Sequence, residues 1–471
     1  MAINWTQEVE KYREELIEKT KQLLAIPSVR DDKSAGPGAP FGKEVAAALN
    51  FMLSLGEKSG FQTKNVDGYA GHVEYGEGKE LIGVLSHLDV VPPGDGWSSP
   101  PFEPQILDGK LIARGALDDK GAAMASFFAL KIIKDLRLPL SKRVRLIFGT
   151  DEESEWRDMD YYFAREEMPT MGFTPDADFP LIVAEKGLFD FTLTGKTKET
   201  EETDTSLWKL VEFTSGQRAN MVPDFAVAKL RGAGDVFQLK EKYQKFLSER
   251  SIRGYSEESD EDLTLVLEGV SHHGSEPDKG LNAALALTQF LGKIPLDSNG
   301  SKYIEMIQEY LVDDFFGKKL GIAMEEQRLG PLTVNAGVFR YQQGAEQSIS
   351  LNIRYPQKGK GAEIESKVRQ AFLPYGLEIA HKDHKPPHGV EENHPLVQTL
   401  SRVYEEQTGD KATLFAIGGA TYARTLRTGV AFGPLFPGSP DTAHQKDEFI
   451  FIEDLLKATA IYAQAIYELA N

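Results

Sequence analysis

A chain of 471 residues is long for one domain and sets an expectation of two or three. Its formal charge of -19 argues against a nucleic-acid phosphate track, which needs a basic face or stripe. With no cysteine, the chain cannot use disulfides, thiol nucleophiles, iron–sulfur clusters or thiolate zinc sites, so any metal has to be held by His, Asp and Glu. The N-terminal segment has no basic stretch leading into an apolar core, and nowhere do about 18 apolar residues run together, so the expectation is a cytoplasmic chain without a membrane partner.

Residues 5–25 place Leu and Ile at helical spacing among alternating charges, which predicts an amphipathic helix ending before Pro27. A second helix follows Gly42 and stops near Gly60, and a short strand pair follows at 69–75. In residues 81–89, LIGVLSHLD, the apolar run Leu81, Ile82, Val84 and Leu85 has a β-branched bias and reads as a buried strand of an α/β sheet. His87 and Asp89 lie just past its carboxyl end, where open α/β sheets place their ligands. A neutral imidazole can bind a metal through one nitrogen while a carboxylate holds the other N–H. Residues 90–104, dense in Pro and Gly, form a loop beside that strand end.

In residues 109–135 a strand and turn lead into a helix from Gly121, with Asp118 and Asp119 at its N-terminus. Capping, worth about 0.5–2 kcal/mol, explains Asp119 and leaves Asp118 free to turn inward. The strand 144–149 runs directly into Asp151, Glu152 and Glu153. Three consecutive acids after a buried strand are unusual because unpaired buried charge is costly, and a metal removes that cost; one of the three can instead cap the next helix. Residues 175–187 put Asp176 and Asp178 in a turn before another strand.

The texture changes near Gly187. The charged run 196–206 reads as a solvated loop and opens a region of roughly 200 residues with an internally repeated pattern. Strand 225–231, helix 235–249 and strand 263–267 are echoed by strand 348–355, helix 362–372 and strand 377–380. This predicts an inserted α+β domain of two related halves. His381, His384 and His388 within it read as solvated. After Pro386 and Pro387 the α/β texture resumes: a helix at 395–408, a strand ending in AIGGATYAR, a loop carrying His444 and a final amphipathic helix at 453–469.

His87, Asp118, Glu152, Glu153, Asp176 and His444 each follow or face a strand end in the α/β part. Such a set suits two divalent ions with one bridging carboxylate, each ion keeping an open position for water. Of two adjacent glutamates, one can bind metal while the other takes a proton from the bridging water.

In this order the motifs SHLDVVPPGDGW, ARGALDDKG, GTDEES, PDADFP, NMVPD, GVSHHGSEPDKGLNA, NIRYP, GGATYAR and AHQKDE resemble the co-catalytic dinuclear zinc peptidases and deacylases. That family includes carnosinases, glutamate carboxypeptidases, aminoacylases and succinyl-diaminopimelate desuccinylase, and the resemblance is greatest to its PepV-type bacterial dipeptidases. It implies an α/β, phosphorylase/hydrolase-like catalytic domain, 1–186 and 389–471, with a mixed sheet flanked by helices. An inserted lid, 187–388, would consist of two ferredoxin-like halves. The resemblance further implies that His87 binds one zinc with Asp176, that Asp89 orients His87, and that Asp118 bridges both ions. Glu153 and His444 would serve the second zinc, and Glu152 would be the general base. His273 would stabilise the oxyanion, a task worth about 3–4 kcal/mol. Asn220, Arg354, Gly418 and Gly419 would hold the substrate, a guanidinium suiting a free carboxylate. Ala113 departs from the Gly of relatives, which bears on that turn and not on the ligands.

The expectation is therefore a monomeric dipeptidase using two Zn2+, with Mn2+ or Co2+ also suited to the donors, and a small peptide as its partner. An N-acyl amino acid deacylase would use the same metals and base. A non-catalytic binding relative would also keep the fold, but the intact ligand set argues against it.

Overall fold

The computed structural model describes residues 3–197, 206–259 and 261–471; most of the charged run expected to be a solvated loop lies outside the described residues. Two compact units are formed, Met1–Glu185 with Gly389–Asn471, and Lys186–His388. Lys186, grouped by sequence with the catalytic segment, clusters with the second unit.

In the first unit a mixed sheet runs Gln62–Val66, Ala70–Tyr75, Arg143–Gly149, Leu81–His87, Met171–Thr174, Gly429–Ala431 and Leu181–Glu185, with Leu414–Ile417 parallel to the last. Every residue of Leu81–His87 is buried because both faces are covered. Ile82 and Val84 join the larger core with the helices Lys120–Asp135 and Ile452–Ala470, while Leu85 joins a smaller cluster with Ile147, Trp156, Met159 and Tyr422. This alternation is the period of two expected of a strand. The helix Lys120–Asp135 is buried almost all round, as its Ala- and Phe-rich sequence requires. The expected helix at 5–25 is instead two, Trp5–Glu10 and Arg13–Leu24.

Leu81–His87 lies parallel to Arg143–Gly149 with His87 opposite Gly149, and parallel to Met171–Thr174 with Val84 opposite Phe173. Three adjacent parallel strands thus end together. His87, the acids after Gly149 and Asp176 leave the sheet at that shared carboxyl edge, the usual ligand edge of an α/β sheet.

The second unit contains an eight-stranded antiparallel sheet among the described residues, in the order Arg253–Glu258, Leu263–Glu268, Phe225–Gly232, Trp208–Ser215, Thr333–Gln342, Glu346–Tyr355, Gly187–Lys196 and Glu378–Lys385. Two four-stranded halves meet where Trp208–Ser215 pairs with Thr333–Gln342. The sequence comparison of the halves needs one correction. The strand after the helix Val236–Arg250 is Arg253–Glu258, and this is the counterpart of Glu378–Lys385; Leu263–Glu268 corresponds instead to Gly187–Lys196. Arg253–Glu258 escaped detection because RGYSEE is an edge strand without a buried position, so it carries no apolar alternation. His384 is likewise not simply solvated. Its ring stacks on Phe189 with centroids 3.9 Å apart and bonds the Tyr355 hydroxyl at 2.7 Å.

Candidate metal centre

His87 is 1% exposed, and its ring is held from both sides. Nδ1 lies 2.9 Å from the Asp89 carbonyl oxygen and 3.6 Å from the Asp89 carboxylate, so the main chain makes the nearer orienting contact. A carbonyl can only accept, which places the proton on Nδ1 and leaves the Nε2 lone pair available to a metal. Nε2 lies 2.8 Å from Asp118 Oδ1 and 3.7 Å from Asp176 Oδ2.

The other Asp118 oxygen, Oδ2, lies 3.0 Å from His444 Nε2, which is also 2.9 Å from Glu153 Oε1. One carboxylate therefore stands between two imidazoles. Two groups of donor atoms gather within 4.8 Å: His87 with Asp118 and Glu153, and His87 with Glu152 and Asp176. Asp178 is exposed in the short strand beyond. His444 reaches the centre from left-handed backbone at φ 61°, a conformation that costs a non-glycine residue roughly 1–2 kcal/mol.

The Asp89 carboxylate has a second task. It accepts the backbone N–H groups of Glu152 and Glu153 at 3.2 and 3.1 Å. Trp156 adds an indole N–H to the Glu152 carbonyl at 2.5 Å. Asp151 is the acid of the trio that supports the next helix, accepting the Arg157 N–H at 3.0 Å and pairing with Arg30 at 3.0 Å.

Asp119 occupies the N-cap position of the helix Lys120–Asp135 but does not cap with its side chain. Its Oδ2 accepts the His87 backbone N–H at 3.1 Å, so both aspartates face the strand end. Sequence reasoning also missed Glu448. Its carboxylate, 1% exposed, accepts N–H groups from Gly115, Leu117 and Asp118 at 3.1, 2.9 and 3.0 Å, and pairs with Arg114 at 2.6 Å. The available signal was an acid four residues after His444 in AHQKDE. Gly121 completes the packing: a Cβ there would stand 2.1 Å from the Ala116 carbonyl, so only glycine lets the helix start this close to the loop carrying Asp118.

Burial pushes the Glu152, Glu153 and Asp176 carboxyls up, with neighbouring carboxylates adding to the effect. For Asp118 burial acts in the same direction, but bonds from His444 and His87 outweigh it and hold this carboxyl low. The bonds to Asp118 and then Glu153 push His444 up to about 11. Nitrogen and oxygen donors only, with carboxylates outnumbering imidazoles in a cluster that is half-buried around the buried His87, fit divalent cations, whose charge would keep these acids ionised.

Gly419 lines a cavity of about 240 Å3 with Leu117, Asp118, Asp176, Ile182 and Leu435, and Gly418 is its chain neighbour. In the second unit, Asn220 and His273 lie on adjoining segments: the Gly274 N–H bonds the Asn220 carbonyl at 2.7 Å, and Met221 bridges to His273. His273 Nδ1 is 2.6 Å from the Ser275 hydroxyl. Arg354, 4% exposed, donates from Nε to Asn352 Oδ1 at 2.9 Å.

The model of peptidase family M20/M25/M40 matches residues 83–468. The chain belongs to this family. The peptidase is 50% identical over 469 residues, covering 100% of both chains, to the Bacillus subtilis protein named "Putative dipeptidase YtjP". It is 41% identical over 465 residues, covering 99% of both, to a Staphylococcus epidermidis protein named "Putative dipeptidase". Among solved structures it shares its fold with human carnosine dipeptidase 1 (TM-score 0.58, 13% identity, 99% of this chain and 98% of the other). It likewise shares it with the aminoacylhistidine dipeptidase of Vibrio alginolyticus (TM-score 0.60, 12% identity, 97% and 96%). No helix of the described residues is long and apolar enough to cross a membrane.

Proposed function

We propose that this peptidase is a dinuclear metallodipeptidase that hydrolyses short peptides, mainly dipeptides with a free N-terminus. The observation that carries the reading is the Asp118 carboxylate, one oxygen 2.8 Å from His87 Nε2 and the other 3.0 Å from His444 Nε2. Two-sided presentation of one carboxylate is what a shared metal ligand requires. The names borne by the full-length relatives support the substrate class.

His87 and Asp176 would hold one ion, Glu153 and His444 the other, with Asp118 common to both. Zinc suits these donors, and manganese or cobalt would as well. Bound there, the ions would supply Lewis-acid polarisation of the scissile carbonyl and a lowered pKa for water. Glu152 takes the proton of the attacking water and passes it to the leaving amine, serving first as general base and then as general acid. Asp89 and Trp156 fix the backbone at Glu152, so the carboxylate acts from a set position. His273 is assigned the oxyanion, Arg354 the terminal carboxylate of the substrate, and Asn220, Gly418 and Gly419 further contacts to the peptide. The second unit serves as the lid. We also assign the peptidase to the cytoplasm as a monomer, and a solution mass near 52.2 kDa is the result that assignment expects.

The experiment is release of amino acids from free dipeptides, tripeptides and N-acetyl amino acids by chelated protein reloaded with zinc or manganese, with Glu152→Gln alongside. Metal-dependent cleavage of dipeptides, lost in Glu152→Gln with both metals still bound, supports the reading. Cleavage confined to acyl substrates would replace the dipeptidase with a deacylase, and activity retained in Glu152→Gln would remove the base.

A further inference from the structure

On the strand Glu346–Tyr355, Ile349, Leu351 and Ile353 enter the core of the second unit. The alternate residues point the other way. Ser348 and Ser350 on that face are half-buried, but Asn352 and Arg354 at its carboxyl end are 0% and 4% exposed. Two polar side chains are thus buried on the face of the strand turned away from that core, and buried polar groups persist only when hydrogen-bonded.

The bonds form a line. Asp190, directly opposite Asn352 on the neighbouring strand Gly187–Lys196, accepts the Asn352 amide N–H at 2.7 Å through Oδ1. The Asn352 Oδ1 in turn accepts Arg354 Nε at 2.9 Å. Burial pushes the Asp190 carboxyl up, while the Asn352 bond and the Arg354 charge pull it down. On the other side of Asn352, Asn335 stands opposite it on Thr333–Gln342. The Asn335 amide donates to the carbonyls of Ala219 and Met221 at 2.7 and 2.9 Å, the two residues flanking Asn220.

An amide side chain can donate and accept at once, so Asn352 links the Asp190 carboxylate to the guanidinium. A contact at Nε fixes the plane of that group, and bidentate carboxylate recognition depends on the plane. We infer that Asp190 and Asn352 are positioning residues which, by orienting Arg354, set the preference for substrates with a free terminal carboxylate. The inference rests on the assignment of Arg354 made above and extends it to two residues that need not touch substrate.

The test compares kcat and KM for a dipeptide and for its C-terminal amide, using the whole metal-loaded chain. Asn352→Leu keeps the volume and removes both bonds. It is expected to raise KM for the free dipeptide on the order of tenfold, with kcat little changed and the amide unaffected, so that the preference shrinks. Asp190→Asn, which keeps shape and loses charge, is expected to fall between. Arg354→Lys separates the two levels of argument. If Arg354→Lys removes the preference and neither Asn352→Leu nor Asp190→Asn alters it, the positioning role is refuted while the Arg354 assignment stands. If Arg354→Lys leaves the preference intact, the carboxylate assignment itself fails and the positioning role with it. Equal losses of kcat on both substrates in Asn352→Leu would mark a merely structural residue and overturn the inference.

Discussion

Replacing Glu448 tests whether the loop carrying Asp118 is held by one buried carboxylate. Glu448 receives three backbone N–H groups, from Gly115, Leu117 and Asp118, as well as the Arg114 guanidinium at 2.6 Å. Arg114 is itself 1% exposed, so removing Glu448 would leave a buried cation without its counter-charge. Breaking a buried pair by losing one partner costs about 3–5 kcal/mol, and each orphaned N–H adds about 1–3 kcal/mol where water cannot reach it. Glu448→Ala is therefore expected to lose 5 kcal/mol or more, a large part of the stability of an ordinary domain. Glu448→Gln keeps one carbonyl oxygen for Leu117 and Asp118 but turns an amide toward Gly115 and Arg114, and is expected to cost about 3 kcal/mol. Urea unfolding of the chelated protein gives the stability, and metal titration of the folded protein gives the consequence for Asp118. Both should weaken together. An unchanged urea midpoint and unchanged metal affinity in Glu448→Gln would refute the clamp.

Asp89→Ala removes the acceptors of the Glu152 and Glu153 N–H groups but spares the carbonyl that orients His87. Activity should fall about 10–100-fold with metal stoichiometry retained; loss of metal with normal turnover in the loaded fraction would reassign Asp89 to His87. Chelation should lower the thermal midpoint, because Asp118, Glu152, Glu153 and Asp176 then face one another without a cation. Reloading at about 100 times Kd should restore about 2.7 kcal/mol, and identical midpoints would contradict the metal centre. His72, accepting from the Tyr162 hydroxyl, is pushed from 6.5 down to about 3 by burial and by the charge of Arg145. Only the unfolded chain binds that proton between those values, so stability present above 6.5 is lost as pH falls toward 3. In His72→Gln the urea midpoint should depend less on pH across this window than in the parent, and equal slopes would show that His72 contributes nothing there.

The candidate donors could be picked out in the sequence because they follow strand ends, and strand ends are marked locally. The apolar run before His87, the run before Asp151 and the turn at Asp176 each announce where a chain leaves the sheet, and parallel register then brings the three together at one edge. The pair Asp118 and Asp119 shows where local reading stops. The N-cap position is a property of neighbouring residues, yet the Asp119 carboxylate turns to the His87 N–H, 32 residues away in the chain. In the second unit, buried alternation announced the inner strands, while the exposed edge strand Arg253–Glu258 had no such alternation to read.

The sequence by itself determined the donor chemistry, nitrogen and oxygen without sulfur, the order in which the donors arrive, and the apolar periodicities that build the sheet. Only the tertiary structure decided how those donors are held. Glu448 meets the Asp118 N–H across 330 residues of sequence, and the Asp190 carboxylate meets Asn352 across 162. Periodicity and capping rules act over a few residues, so no local pattern encodes such contacts. They arise when the sheets form and leave these buried polar groups with one another as their partners.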